Sequence, residues 1–215
     1  MFMPEIEDFK FVCGCTPSIM DGTEYEYNVD DKIELPAAFS WKDVMPPVRN
    51  QGETSTCVCQ SLTGMLDFIT NSENGVANVC NNYDIGELYN IRANKACEGM
   101  SIKEALAYLK KHGLNGKHIN GYAKVNSVIA ARQAIVSQGP LAIGTLCYNN
   151  GMNEYWVRGG QNMGGHCVTL VGYDDEKSSF ILRNSWGTSW ASDGYILFPY
   201  DDFVKYCFEC WTFLL

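Results

Sequence analysis

A glutamine in a glycine-bearing turn, Gln51-Gly52, stands six residues ahead of Cys57, and Cys57 opens a run in which Val58, Leu62, Met65 or Leu66, and Ile69 recur at helical spacing. That spacing predicts a core helix with Cys57 at its N-terminus, where unpaired N–H groups and the positive end of the dipole favour a charged sulfur. A nucleophilic thiolate needs a base and a group to aim the base. Of the three histidines, His112 falls in the last turn of a helical pattern and His118 in a polar loop, both read as surface. His166 sits in GGHCVTLVGY, an apolar run with the character of a buried strand. The next run, FILRNSWGTSW, predicts a second strand ending at Asn184, with Trp186 and Trp190 close behind. The order Cys, His, Asn, with the last two on adjacent strands, suits a site in which an imidazole ionises the thiol and an amide oxygen fixes the imidazole's tautomer. Such a pair should lower the thiol pKa and raise that of the histidine.

These blocks together resemble the papain-like cysteine peptidases, most of all the compact bacterial and viral forms. The resemblance runs from about Leu35 to about Phe198 and includes LPAAFSWKDVMPPVRNQG and ACEGMSIKEALAYLKKHGL. It implies catalytic roles for Cys57, His166 and Asn184, an oxyanion-hole role for Gln51, and a shielding role for Trp186. It also implies that Gly99, Met100, Ser101, Ile102, Gly165 and Cys167 line the substrate cleft. The chain departs from the family pattern at Thr54, which removes half of a common disulfide and leaves Cys97 without that partner. It departs again at Val58, in place of an aromatic residue, and at Met100, in place of a glycine. The implied chemistry is peptide-bond hydrolysis through an acyl-enzyme, with endopeptidase action preferred and no metal or organic cofactor required. A papain-fold acyltransferase or transglutaminase, and a non-catalytic binding module, are the alternatives.

The elements that must position these residues change character along the chain. Helical patterns come first: the Cys57 helix, then Ser101 to Lys111 with a capping box of Ser101 and Glu104 and a stop at Gly113, then Ser127 to Gln138 before Gly139-Pro140. Strands follow at Leu141 to Tyr148, His166 to Tyr173, Phe180 to Asn184 and Tyr195 to Phe198. The fold class is therefore α+β, a two-lobed papain-like arrangement with a helical lobe at about 50–138. A β-barrel-like lobe follows at about 139–200 with a C-terminal segment 201–215. The cleft is expected between the lobes, with Cys57 on one wall and His166 on the other.

Composition bounds the rest. The chain has 215 residues, 46% hydrophobic and 13% aromatic, enough for a substantial core. No apolar run approaches the roughly 20 residues of a membrane helix. A net charge of −9 argues against a nucleic-acid partner. Residues 1–34 hold nine acidic and two basic side chains, so the extension carries −7 and the remainder only −2. MFMPEIEDF has no basic n-region and no continuous apolar core, so no signal peptide is visible and an intracellular or virion-associated monomer is expected. In a reducing compartment most of the ten cysteines should be free. Cys13 and Cys15 with Cys207 and Cys210 could form a zinc site if the termini meet, but core packing or a disulfide suits their aromatic surroundings better. Partners expected are a peptide or protein substrate and, through the apolar stretch Phe9 to Cys15, an intramolecular inhibitor: either a strap across the cleft or mere padding on one lobe.

Overall fold

The computed structural model describes residues 12–74, 79–148 and 162–214. In chain order it holds β1 (Cys15–Thr16), β2 (Ala38–Ser40), a short 3-10 turn, α1 (Cys57–Asn74), α2 (Asn82–Asn90), β3 (Met100–Ser101), α3 (Ile102–His112), β4 (Gly121–Lys124) and α4 (Val128–Gln138). It continues with β5 (Leu141–Tyr148), β6 (Asn162–Asp174), β7 (Ser179–Arg183), β8 (Tyr195–Pro199), α5 (Tyr200–Tyr206) and β9 (Cys207–Leu214). One sheet runs β4-β9-β5-β6-β7-β8, and β2 pairs with the far end of β6. Its strand pairs are antiparallel, and β8 does not return to β4, so the sheet is open rather than a closed barrel.

α1 is more deeply enclosed than its apolar spacing predicts. Every residue from Cys57 to Phe68 is buried, including Gln60, Ser61, Thr63 and Asp67 on the faces the pattern leaves polar. Burial on all sides marks a helix sandwiched within the core, and here α1 lies between α2 and α3 on one side and β5 and β6 on the other. The polar groups of Ser61, Thr63 and Asp67 are matched. The Ser61 hydroxyl donates to the Cys167 carbonyl at 3.2 Å and Thr63 donates to the Cys59 carbonyl at 2.7 Å. Asp67, fully buried, accepts from Lys117 Nζ at 2.6 Å, from the Cys80 amide at 2.9 Å and from Arg49. Removing that carboxylate would strand two cations in the interior. Asp67→Ala should lower unfolding stability by about 3–5 kcal/mol in denaturant melts, and a loss under about 1 kcal/mol would show that the network is solvated.

Four elements differ from the sequence expectation. α2 begins at Asn81, which accepts from the Tyr83 and Asp84 amides while Asp84 accepts from the Asn81 amide. This is a capping box with aspartate at the third position, where glutamate or glutamine is the usual signal. α3 has only half of the box expected at Ser101: the Ser101 hydroxyl accepts from the Glu104 amide at 3.3 Å, but the Glu104 carboxylate turns to the Ala93 amide. β9 occupies the segment left as a C-terminal tail, and it sits inside the sheet between β4 and β5, with Trp211 and Phe213 buried. α4, placed by sequence in the helical lobe, packs Ala130, Ala131, Ala134 and Ile135 on the sheet with Leu141, Val168 and Phe180.

Candidate active site

Cys57 is the first residue of α1 and is fully buried. His166 lies on β6 and Asn184 directly after β7, and the register Thr169 to Arg183 brings the two strands together so that His166 Nε2 meets Asn184 Oδ1 at 2.8 Å. The Ser185 amide donates to the same Oδ1 at 2.8 Å, which identifies that atom as the acceptor. An acceptor opposite Nε2 requires Nε2 to carry the proton, so in the neutral ring Nδ1 bears the lone pair. His166 Nδ1 is buried with no hydrogen-bond partner. Trp186 stacks on the imidazole at 4.7 Å between centroids and 18° between planes, covering the His166–Asn184 contact. The Gln51 amide is aimed by Ser185, whose hydroxyl donates to Gln51 Oε1 at 2.6 Å. Sequence reasoning missed Ser185, although it stands in the same NSW run as Asn184 and Trp186.

The N-terminal segment lies against residues expected to line the cleft. Gln51 Nε2 donates to the Val12 carbonyl at 2.9 Å, and the Met100 amide donates to the Gly14 carbonyl at 2.9 Å. β1 then runs parallel to β3, pairing Cys15 with Met100 and Thr16 with Ser101. The fit is close enough to demand glycine on both sides. A Cβ on Gly14 would stand 2.4 Å from the Ser55 carbonyl oxygen, and one on Gly165 would stand 2.1 Å from that of Cys15. Beyond β1, Ser18 Oγ accepts from the Lys103 amide at 3.1 Å, and Lys103 Nζ pairs with Asp21 at 3.1 Å and Glu24 at 2.5 Å. Some of the acidity of the N-terminal segment is thus spent on α3. Phe9 and Phe11 of the apolar stretch lie outside the described residues.

Under this cover the site is dry, and its ionisation departs from the sequence expectation. Burial raises the Cys57 thiol well above its ordinary pKa, outweighing the Cys167 amide, which donates to the sulfur at 3.4 Å, and the Gly14 amide, which also donates to it. Burial lowers His166 to about 4 against the partial support of Asn184. Helix-end charge is worth about 0.3–2 kcal/mol, whereas full burial moves a group by up to about 3–5 pKa units at 1.36 kcal/mol each. Desolvation therefore wins, and the covered pair is a thiol and a neutral imidazole. Between about 4 and 6.5 the unfolded chain binds the His166 proton and the native chain does not, so stability is full above pH 6.5 and falls as pH drops toward 4. The loss should be on the order of 3 kcal/mol. Denaturant midpoints at pH 7 and pH 4.5 should show it, and His166→Gln should flatten that slope. An unchanged slope would place the loss elsewhere.

The residues expected to line the cleft divide. Gly99, with φ +98°, lies where an added Cβ would stand 3.0 Å from the Gly14 carbonyl oxygen, and Met100, Gly165 and Cys167 all meet the N-terminal segment or Cys57. Ile102 does not: it is fully buried in the core with Leu62, Leu106 and Leu109, because α3 begins there and turns it inward. Ser101 spends its hydroxyl on capping α3. His112 and His118 are exposed, Cys97 is exposed and unpaired, and Cys207 and Cys210 are free thiols on β9 rather than a disulfide. Among the described residues no group of side chains is arranged to hold a metal ion, and no helix is long and apolar enough to cross a membrane.

Residues 117–209 match the model of the papain family cysteine protease. The match covers 93 of the 215 residues, and over that stretch the chain is similar to the family. The matched stretch holds His166 and Asn184, and Cys57 and Gln51 lie ahead of it. Cysteine proteinase 3 of Entamoeba histolytica is 26% identical over 206 residues, covering 77% of this chain and 63% of that protein. Cathepsin K of Gallus gallus is 26% identical over 80% of this chain and 61% of that protein. The chain thus spans somewhat over three-fifths of the length of these two relatives. A peptidase C1-like protein of Acanthamoeba polyphaga mimivirus is 25% identical over 91% of this chain and 74% of its own length. Among solved structures, xylellain, a cysteine protease from Xylella fastidiosa, superposes with a TM-score of 0.80 at 21% identity over 94% of this chain and 95% of its own. Procathepsin B S9 from Trypanosoma congolense gives 0.75 at 14% identity over 95% of this chain and 87% of its own. At these identities the structural likeness speaks for the papain-like, two-lobed α+β fold.

Proposed function

We propose that this papain-family chain is a cysteine peptidase in which Cys57 is the nucleophile, His166 the base, Asn184 the group that aims it and Gln51 an oxyanion donor. The observation that carries the proposal is the tautomer imposed by Asn184 Oδ1 and the Ser185 amide, which leaves His166 Nδ1 as an unbonded lone pair one residue from Cys167, whose amide donates to the Cys57 sulfur. With the cleft open and wet, Nδ1 takes the thiol proton and the thiolate attacks a peptide carbonyl carbon. The carbonyl oxygen, now negative, is held by Gln51 Nε2 and the Cys57 amide, a term of about 3 kcal/mol per donor. Gln51 Nε2 already binds a carbonyl oxygen, that of Val12, so its position suits one. The imidazolium returns its proton to the leaving amine, and it next takes one from water, whose oxygen displaces the sulfur from the acyl group.

In this reading residues 12–18 form a strap that fills the cleft and keeps Cys57 from substrate, and residues 1–34 are a built-in regulatory segment of the peptidase domain 35–215. Ten free thiols suit a reducing compartment, which supports placing the chain inside a cell or virion. The test is a fluorogenic peptide assay in parallel with amine incorporation, on chain whose strap has been displaced. Hydrolysis, with an epoxide peptide attached at Cys57 alone, supports the peptidase. Amine incorporation at the expense of hydrolysis would make the chain an acyltransferase, and neither reaction, with no label, would make it a binding module.

A further inference from the structure

The strap and the walls it lies on carry thiols in matched positions, which the proposed mechanism does not use. Cys13 packs against the core that α4 shares with the sheet, where Cys147 on β5 is buried. Cys15 lies in the other core, with α1, where Cys167 on β6 is fully buried. The Cys13 thiol has that of Cys147 as its neighbour, and the Cys15 thiol that of Cys167. The backbones bring the segments together, since the Cys15 carbonyl lies on Gly165, two residues from Cys167, and the adjacent Gly164 pairs with Cys147. All four are free thiols.

We propose that these pairs form a redox latch, in which Cys13–Cys147 and Cys15–Cys167 disulfides fasten the strap over Cys57. The oxidant is a low-molecular-weight disulfide. A strap thiolate attacks one of its sulfurs, forming a mixed disulfide and releasing one small thiol. The wall cysteine then attacks the strap sulfur and releases the second, so each bridge consumes one small disulfide and yields two small thiols. Exchange needs a thiolate and access to it. In the seated strap, burial and the neighbouring sulfur hold Cys13 and Cys15 protonated, so exchange begins on a strap that has lifted and ends as it closes. Each bridge would tie the N-terminal segment to the middle of the sequence, closing a long loop of the kind in which a disulfide constrains the chain most. A reducing compartment keeps the latch open. The inference rests on the strap reading but not on hydrolysis, because it is read by alkylation and by mapping.

The full chain, incubated with oxidised or reduced glutathione, is treated with iodoacetamide, and the labelling rate of Cys57 and the disulfide-linked peptides are measured by mass spectrometry. Oxidation should yield the two named bridges and slow Cys57 alkylation by at least about tenfold, reversed by dithiothreitol. Cys13→Ser with Cys15→Ser should label at the same rate in both buffers. If that variant fails to fold, the wild-type map decides alone. Bridges mapped to other pairs, above all through Cys57, or equal alkylation rates in oxidised and reduced wild type, would overturn the latch.

Discussion

Cys57→Ala should remove peptide hydrolysis, lowering kcat by on the order of 10⁶-fold, the loss seen when one member of a cooperating nucleophile–base set is deleted. The comparison belongs in a strap-displaced background, where the starting activity is highest. His166→Ala should come close to the same loss, because a thiol without its base ionises little at neutral pH. Asn184→Ala should cost less, since Trp186 stacks on the ring and still restricts its tilt, but it frees the tautomer that the Asn184 oxygen imposes. The fold should survive Cys57→Ala, because the change removes one sulfur whose hydrogen bonds come from two backbone amides. Circular dichroism matched to wild type, with activity within tenfold of the parent, would dismiss Cys57 as nucleophile.

Displacing the strap should have the opposite sign. Gly14→Val places a side chain where even a Cβ would stand 2.4 Å from the Ser55 carbonyl oxygen and 2.6 Å from the Ser55 Cβ. Gly14 has no positive φ, so the backbone tolerates the new residue and the clash acts on the seating of the strap. Overpacking of this kind costs about 1–3 kcal/mol, which raises the open population, and with it Cys57 alkylation, by about 5- to 150-fold. The domain should remain folded, because the cores formed by α1 and by α4 with the sheet need only minor contributions from residues 12–16. Unchanged alkylation on an intact fold would mean that the segment only pads the surface. Gly165→Ala is the complementary test from the wall, since its Cβ would stand 2.1 Å from the Cys15 carbonyl oxygen.

The chemistry-bearing residues were legible in the sequence because each announces itself by local pattern. Cys57 opens a helical run behind Gln51-Gly52, His166 stands on a strand of apolar and β-branched residues, and Asn184 directly follows another. Caps were partly legible: Ser101 caps α3 through the Glu104 amide as its spacing implies, whereas the Asn81 cap of α2 used aspartate and escaped notice. β9 was not legible, because CFECWTFL reads equally as tail, core or disulfide until β4 and β5 supply its two partners.

By itself the sequence determined which groups could react, the α+β order of elements and the apolar faces that build each core, all consequences of residue type and short-range period. Tertiary structure alone decided how those groups are protonated and what they touch. The thiolate–imidazolium pair expected from a helix-start cysteine and a nearby histidine becomes a neutral pair, because residues far apart in sequence, Val12 to Cys15, exclude water from Cys57 and His166. Ionisation depends on solvation, and solvation is set by what folds back over a site rather than by its neighbours along the chain.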